Sequence, residues 1–191
     1  PDADRRLGHL SDSNLSQSLS LNFFARPDGL NLAYRKAEGA APTFVFLPGY
    51  MSDMAGGKAT AVFDWAVRNG RACLLLDYSG CGESDGDFAN GTLTRWRDEV
   101  LALIAAEVTG PVVLVGSSMG GWLMLLAALA RPGQVHALVG IAAAPDFTEW
   151  GTSAADKARL AAGETVFEPN PYGPEPTPTH ALFWADGRSE E

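Results

Sequence analysis

Residues 111–126 read PVVLVGSSMGGWLMLL, an apolar run that leads into Gly-Ser-Ser-Met-Gly and then into a second, longer apolar stretch. This pattern predicts a buried strand, a sharp turn and a helix, with Ser118 at the apex of the turn. Such a turn pushes a serine hydroxyl out at the top of a sheet, within reach of a base and of backbone N–H donors. Gly116 and Gly120 flank the serine where a side chain would collide with the neighbouring strand or helix. Ser118 is therefore the candidate nucleophile.

The same glycine–serine–glycine spacing occurs a second time, at Gly82-Glu83-Ser84-Asp85-Gly86, and serves as an internal control. This stretch also follows an apolar run, but the residues after it, 87–91, are polar, turn-forming and without a helical pattern. A nucleophile turn requires a helix to begin at the serine, so that the first amide of the helix can stabilise an oxyanion. We therefore expect Ser84 to be a solvated loop hydroxyl.

Length, charge and cysteine content restrict the class of protein. The 191 residues suffice for one domain with a sizeable core, and a hydrophobic content of 46% is that of a globular chain. The net charge of −9 argues against nucleic acid or an anionic membrane as a partner, because both attract basic surfaces. Cys73 and Cys81 have neither disulfide-framework nor zinc-site spacing, so no metal is expected. No apolar run is long enough to span a membrane and residues 1–20 lack the core of a signal peptide, which favours a reducing, cytoplasmic location.

Strands and helices alternate along most of the chain. Residues 1–18 are expected to form a flexible arm, and residues 21–35 a β-hairpin around Pro27-Asp28-Gly29. Four near-continuous apolar runs predict parallel strands that are buried on both faces, at residues 43–47, 72–77, 111–116 and 135–142. Helices are expected at residues 56–69, 92–108, 119–130 and 156–162. The pattern predicts an α/β fold in which a mostly parallel sheet carries helices on both faces, with a core domain over residues 19–145.

Residues 146–191 are predicted to form a lid-like, proline-rich segment. Within it, residues 168–179 read EPNPYGPEPTPT, which predicts an extended loop because proline lacks an N–H donor and fixes φ. The loop is either a linker or part of a lid over the substrate, and its position after a core strand favours the lid. Four aromatic residues are candidates for contacts that select the substrate, with ordinary core or surface positions as the alternative: Phe147, Trp150, Phe167 and Tyr172.

A nucleophilic serine in acyl transfer needs an oxyanion hole, a general base and an acid that orients the base. One oxyanion donor is expected to be the backbone N–H of Met119, directly after the serine. The other is expected to be the N–H of Tyr50, in the loop after the strand at residues 43–47. Asp146 follows the strand at residues 135–142, at the same edge of the sheet as Ser118. It is either the acid or the N-cap of a helix that begins at Phe147.

None of the three histidines is well placed to be the base. His9 lies in the arm, and His136 begins a strand, which puts it at the opposite end of the sheet from Ser118. His180 follows the proline-rich loop and would reach Ser118 only if that loop folded over the site. The base is therefore not identified, and His180 is a weak candidate.

Four segments carry a family resemblance: FLPGYMSDM at residues 46–54, DYSGCGESDG at 77–86, GSSMGGWLM at 116–124 and ARP at 130–132. They resemble the palmitoyl-protein thioesterase and mycophenolic acid acyl-glucuronide esterase group of the α/β-hydrolase superfamily, and the resemblance spans about residues 20–165. It implies an enzyme that hydrolyses esters or thioesters of small-molecule or acylated substrates. The reaction would proceed through a covalent acyl-serine, with no cofactor.

The chain departs from that family after the lid-like segment. Members of the superfamily take the acid and the histidine from loops after later strands, in the order serine, acid, histidine. No counterpart of the histidine-bearing segment follows Ser118, which predicts a C-terminally truncated hydrolase fold. Three alternatives remain: a hydrolase without its C-terminal part, which is favoured, a short active hydrolase that uses Asp146 and an unexpected base, or a binding protein that keeps the pocket. Missing strands would expose an apolar sheet edge and promote association.

Overall fold

The main element of the computed structural model, which describes residues 20–170 and 173–189, is a six-stranded sheet. Its strands are β1 (Asn22–Ala25), β2 (Asn31–Ala37), β3 (Ala40–Leu47), β4 (Arg71–Leu76), β5 (Val112–Ser117) and β6 (Val135–Ile141). In space they follow the order β1-β2-β4-β3-β5-β6. β1 pairs with β2 and β2 with β4 in antiparallel fashion, whereas β4, β3, β5 and β6 are parallel neighbours. The predicted hairpin and mostly parallel sheet are confirmed.

Helices cover both faces of the sheet, as predicted. They are α1 (Gly57–Arg68), α2 (Leu93–Glu107) and α3 (Met119–Ala130). On one face, Phe63 of α1 packs with Phe46 and Leu75 of the central strands. On the other face, Trp96 of α2 and Trp122 of α3 belong to a larger apolar cluster. In the described part of the chain, no helix is long and apolar enough to cross a membrane.

A buried ion-pair network fixes the N-terminal hairpin to α2. The carboxylate of Glu99 on α2 is fully buried and accepts hydrogen bonds from Arg26 (2.6 Å) and Arg95 (3.3 Å). It also accepts from the backbone N–H of Ser79 (2.8 Å), in the loop after β4. A buried carboxylate is tolerated only with such partners, because its desolvation is otherwise too costly. One side chain thus holds the hairpin, the helix and the loop together.

β6 forms the exposed edge of the sheet, and for this strand the prediction of burial on both faces is wrong. Its five central residues are exposed, among them Leu138 (41%) and Val139 (44%). β3, β4 and β5 are mostly buried, because α1 covers one face of the central sheet and α2 and α3 cover the other. Within residues 20–170 and 173–189, no strand pairs with the outer edge of β6. Its free N–H and C=O groups can therefore pair with another chain.

Residues 146–170 and 173–189 form a segment that packs onto the side of the core formed by α2 and α3. The segment contains α4 (Ala154–Ala161), β7 (Val166–Glu168), β8 (Thr177–Thr179) and α5 (Ala181–Gly187). β7 and β8 form an antiparallel ribbon, so the prediction of a continuous loop over residues 168–179 is wrong at both of its ends. The ribbon accepts Pro178 because a two-stranded ribbon leaves one side of each strand without a partner. Phe183 of α5 is buried in the core, and this contact anchors the segment.

We expect the exposed edge of β6 to drive self-association. The substitution Val139→Lys should lower the associated fraction, because a strand that pairs there would bury the new charge. Sedimentation velocity over a series of protein concentrations measures that fraction. Leu129→Lys is the matched control: Leu129 is 80% exposed on α3, away from any strand edge, and its substitution should change nothing. A wild-type chain that stays monomeric and melts cooperatively would contradict the prediction.

Candidate active site

The turn between β5 and α3 has the geometry that the sequence predicts for Ser118. The residue is exposed and has φ +53° and ψ −122°, a conformation that costs a non-glycine residue about 1–3 kcal/mol. Backbone hydrogen bonds hold it there. Its N–H donates to Ile141 O (3.1 Å), and its carbonyl accepts from the N–H groups of Gly121 (2.8 Å) and Ala144 (3.1 Å). The strained conformation is therefore fixed by the end of β6, the loop after it and the first turn of α3.

Two glycines allow this turn to form, as the sequence predicts. A Cβ atom on Gly116 would lie 2.3 Å from the carbonyl oxygen of Gly120. A Cβ atom on Gly120 would lie 2.0 Å from the carbonyl oxygen of Leu47, at the end of β3. Both obstacles are backbone atoms, which cannot rotate away as a side chain can. The first turn of α3 therefore lies directly against β5 and β3.

The loop after β3 runs beside the serine. A Cβ atom on Gly49 would lie 3.2 Å from Ser118 Cβ and 3.8 Å from Ser118 Oγ. The backbone N–H groups of Tyr50 and Met119 have no acceptor among the residues described, so both can donate to a ligand. Two free amides on either side of a nucleophile are what an oxyanion hole requires. The role of these two donors stays a prediction.

Two residues directly after β4 hold this loop in place. Tyr78 is fully buried, and its hydroxyl donates to the carbonyl oxygen of Pro48 (3.0 Å). The carboxylate of Asp77 accepts from the backbone N–H of Met54 (2.7 Å). The loop is thus fixed near both of its ends. Sequence reasoning did not find these contacts, because they join segments that only the sheet brings together.

The side chain of Tyr50 links the loop to the C-terminal segment. Its hydroxyl donates to the carbonyl oxygen of Pro178 in β8 (2.8 Å). Its ring packs in an aromatic cluster with the rings of Phe88, Trp96, Phe147 and Phe183. Burial raises the pKa of the Tyr50 hydroxyl, so the group stays protonated and remains a donor. The sequence indicated only a backbone role for this residue.

The four aromatic residues considered as lid contacts have different environments. Phe147 joins the aromatic cluster, between Tyr50 and Phe183. Trp150 and Phe167 are exposed. Tyr172 lies outside the described residues. Of the three that the structure describes, only Phe147 is packed beside the loop that carries the candidate oxyanion donor.

Asp146 lies in an exposed turn after β6, with φ +57°. The turn is closed by a hydrogen bond from the N–H of Glu149 to the carbonyl oxygen of Asp146, and no α-helix begins at Phe147. The alternative in which Asp146 caps a helix is therefore wrong. No hydrogen bond joins its carboxylate to any residue that the structure describes. A role as the acid stays a prediction.

Neither of the described histidines forms a hydrogen bond to Ser118. His180 is the N-cap of α5, shares a hydrogen bond with Thr165 Oγ1 through Nδ1 (3.1 Å) and packs edge-on against Phe88. His136 is exposed on β6, and His9 lies outside the described residues. Within the described ranges, no hydrogen bond reaches Ser118 Oγ, so no base is identified.

Ser84, in the second glycine–serine–glycine stretch, is a structural residue. Its hydroxyl donates to the carbonyl oxygen of Asp77 (2.7 Å) and accepts from the N–H of Ala33 (2.8 Å). The prediction of a solvated hydroxyl is wrong, because the loop after β4 folds back onto β2. With both functions of the hydroxyl used, Ser84 has no free role in chemistry.

The cysteines also lack the features of a nucleophile. Cys73 and Cys81 are free thiols and both are buried. Burial raises the pKa of each thiol to about 12, so neither is a thiolate at neutral pH. Among the residues whose positions are described, no cluster of three or more His, Cys, Asp or Glu side chains could hold a metal ion. Ser118 is the nucleophile candidate that this arrangement favours.

Comparison with known proteins agrees with this geometry. Residues 44–189 match the model of the alpha/beta hydrolase family, and the chain belongs to that family. Among curated relatives, palmitoyl-protein thioesterase ABHD10, mitochondrial, of Homo sapiens is 52% identical over 130 residues, which is 68% of this chain and 42% of that protein. The protein of the same name from Mus musculus is 49% identical over 130 residues, or 68% of this chain and 44% of that protein.

A solved structure supports the same assignment. The alpha/beta hydrolase domain-containing protein 10 from mouse superposes with a TM-score of 0.80 at 38% identity, covering 90% of this chain and 70% of that chain. The resemblance to the palmitoyl-protein thioesterase group and the α/β-hydrolase fold are confirmed. The chain spans less than half the length of the curated relatives named above.

The tight packing around the turn predicts the effect of adding one methyl group. Gly120→Ala should lower the free energy of unfolding by about 3 kcal/mol, because the new Cβ overlaps a backbone oxygen of β3. Gly133→Ala is the control: no atom lies within 4 Å of its added Cβ, and the change should stay within about 0.5 kcal/mol. Urea denaturation measures both. Equal stabilities for the two variants would contradict the packing described here.

The buried thiols predict slow modification. At pH 8 the folded chain should not react with Ellman's reagent on a scale of minutes, because the pKa of each thiol is about 12 and both are buried. Both cysteines should react at once in denaturant. A thiol that reacts equally fast in the folded chain would show that one cysteine is accessible.

Proposed function

We propose that this chain is a serine hydrolase that cleaves carboxylic esters or thioesters of acyl substrates, with Ser118 as the nucleophile. The observation that carries the proposal is the strained, exposed serine at the start of α3, beside a loop with a free amide. Strain at a non-glycine residue persists when the surrounding structure fixes it, and it is frequent at active sites. Membership of the hydrolase family and the named thioesterase relatives support the same reaction.

The geometry supports a covalent mechanism. Ser118 Oγ attacks the acyl carbonyl carbon while a base removes the hydroxyl proton. The oxyanion that forms accepts hydrogen bonds from the N–H groups of Tyr50 and Met119. Collapse of this intermediate expels the alcohol or thiol, which takes up the proton, and leaves an acyl-serine. Water then attacks the acyl-serine, releases the carboxylic acid and restores the hydroxyl. The reaction requires no cofactor.

The environment of the site supports an acyl substrate, either a small molecule or an acylated partner. The aromatic cluster around Tyr50 lies next to the loop that carries the candidate oxyanion donor. Its partly exposed rings, those of Tyr50, Phe88 and Phe147, offer apolar surface for an acyl chain, whereas Trp96 and Phe183 are buried. The named relatives are palmitoyl-protein thioesterases, which makes a thioester the first substrate to test. The same names contain the word mitochondrial, whereas a cytoplasmic location for this chain stays a prediction from its sequence.

No base for the mechanism is identified among the described residues, and this favours the alternative of a protein without turnover. In subtilisin, the loss of one member of a catalytic triad reduces turnover by as much as about 10⁶. In the described structure, Ser118 Oγ has no histidine partner, and Asp146 is proposed as the acid only from its position after β6. A binding protein that keeps the fold without turnover is therefore the second candidate function.

Labelling with a fluorophosphonate tests the nucleophile. We expect the 191-residue chain to be labelled at Ser118, and Ser118→Ala to abolish labelling. Ser84→Ala is the control, because Ser84 lies in the second stretch with the same glycine–serine–glycine spacing. This variant should keep the label, although it leaves the N–H of Ala33 without its acceptor. His180→Ala should also keep the label, because the His180 ring contacts Thr165 and Phe88 instead of the serine.

Free imidazole in the same assay tests the base. Because Ser118 is exposed, imidazole can reach it and should accelerate labelling if the chain supplies no base of its own. Labelling that is fast without imidazole and lost in His180→Ala would show that His180 folds over the site in solution. A folded chain that stays unlabelled even with imidazole would contradict the hydrolase proposal and favour the binding protein.

A further inference from the structure

A cavity opens on the α1 side of the nucleophile. It has a volume of about 230 Å³, and its wall includes Gly49, Ser52 and Ser117 together with the start of α1. Gly49 also lies against Ser118, and Ser117 directly precedes it, so the cavity lies beside residues that contact the nucleophile, although Ser118 itself does not line it. The aromatic cluster is formed by other residues and leaves this space unfilled. The mechanism above assigns the cavity no part in the reaction.

The first turn of α1 presents free donors to this cavity. Gly56 is the N-cap, and no side chain caps the helix. The N–H groups of Gly57, Lys58 and Ala59 have no acceptor in the described structure. Because the peptide dipoles add along twelve residues of helix, this end carries a partial positive charge. An added Cβ on Gly57 would meet nothing within 4 Å, so a ligand can approach the backbone closely.

Ser117 supplies an independent sign of a ligand. The residue is only 5% exposed and lines the cavity, yet its hydroxyl makes no hydrogen bond to a residue in the described ranges. Because the residue is nearly buried, its hydroxyl can complete its hydrogen bonds only with a group that occupies the cavity. The hydroxyl of Ser117 therefore has a free donor that faces the same space as the amides of α1.

Charge at the cavity is set by two side chains. Lys58 is exposed at the cavity wall, and its ammonium group forms no ion pair within the described part of the chain. Asp53 lines the same cavity with the opposite charge, and one of its carboxylate oxygens accepts from the N–H of Ala55 (2.9 Å). The amides, the serine hydroxyl and the lysine are all donors, so the donors outnumber the one carboxylate that opposes an anion.

We propose that this cavity is a subsite for an anionic group, a carboxylate or a phosphate, on the alcohol or thiol part of the substrate. The assignment rests on the proposed function, since it places the leaving group relative to Ser118. An acyl chain needs apolar surface, which the aromatic cluster provides. The polar cavity on the other side of the loop suits the part of the substrate that departs.

Equilibrium binding tests the subsite without any turnover. Methyl phosphate and acetate are titrated separately into the ¹⁵N-labelled chain at constant ionic strength, and the amide signals of Gly57, Lys58 and Ala59 are followed. We expect saturable shifts confined to this cavity, and the anion with the lower Kd identifies the preferred group. Shifts that do not saturate, or that are spread over the surface, would overturn the proposal whether or not the chain is a hydrolase.

Variants that remove a donor, and one that removes the opposing negative charge, test whether anion binding depends on this cavity. Lys58→Gln should weaken anion binding about fivefold, and Ser117→Ala should weaken it about threefold, because each removes one donor. Asp53→Asn should strengthen binding about threefold, because it removes the opposing charge and keeps the acceptor for Ala55. Lys36→Gln removes a lysine that is paired with Glu38 on the surface and should change nothing. Equal effects of the two lysine variants would overturn the subsite.

Kinetics then connect the subsite to the reaction. For esters with an anionic leaving group, Lys58→Gln should raise KM about fivefold and leave kcat unchanged. For a neutral ester of the same acid, neither constant should change. An equal rise in KM for both esters would contradict a charge-specific subsite. Absence of turnover with every ester would contradict the hydrolase proposal alone, because the anion titration stands without it.

Discussion

The contact between the first turn of α3 and the end of β3 is the constraint on which the site depends. Gly120 lies so close to the carbonyl oxygen of Leu47 that no side chain fits between them. This approach forces the chain through Ser118 at positive φ and turns the hydroxyl outward. It also brings the loop after β3 against the serine, where Gly49 passes beside Ser118 Cβ. The nucleophile, the candidate oxyanion donors and the polar cavity all follow from this one packing contact.

The end of β4 supports that arrangement without taking part in the chemistry. Tyr78 and Asp77 hold the loop after β3, and Ser84 joins the loop after β4 to β2. Glu99 on α2 stabilises the same region through its buried ion pairs with Arg26 and Arg95. The two stretches with the same glycine–serine–glycine spacing therefore have different roles in the structure. One presents its serine to solvent, and the other uses its serine hydroxyl fully in backbone hydrogen bonds.

Two surfaces of different character lie on the two sides of the loop after β3, which passes beside Ser118. On one side lies the aromatic cluster, to which the C-terminal segment contributes Phe147 and Phe183 and which Tyr50 connects to β8. On the other side lies the cavity lined by Ser117 and the start of α1. An acyl compound with a charged leaving group has the same division between an apolar and a polar part. The loop after β3 separates the two surfaces, so its position decides how such a substrate would lie.

Patterns in the chain were enough to predict the class of fold, the strand–turn–helix at Ser118 and the need for glycine at positions 116 and 120, because these features depend on neighbouring residues. Tertiary structure alone decided which strand forms the exposed edge, that Ser84 is a structural hydrogen-bonding residue, and that β7 and β8 pair. Tertiary structure also decided the contacts of Tyr78 with Pro48 and of Tyr50 with Pro178. Each joins residues far apart in the chain, and periodicity carries no information about which distant segments the sheet will bring into contact.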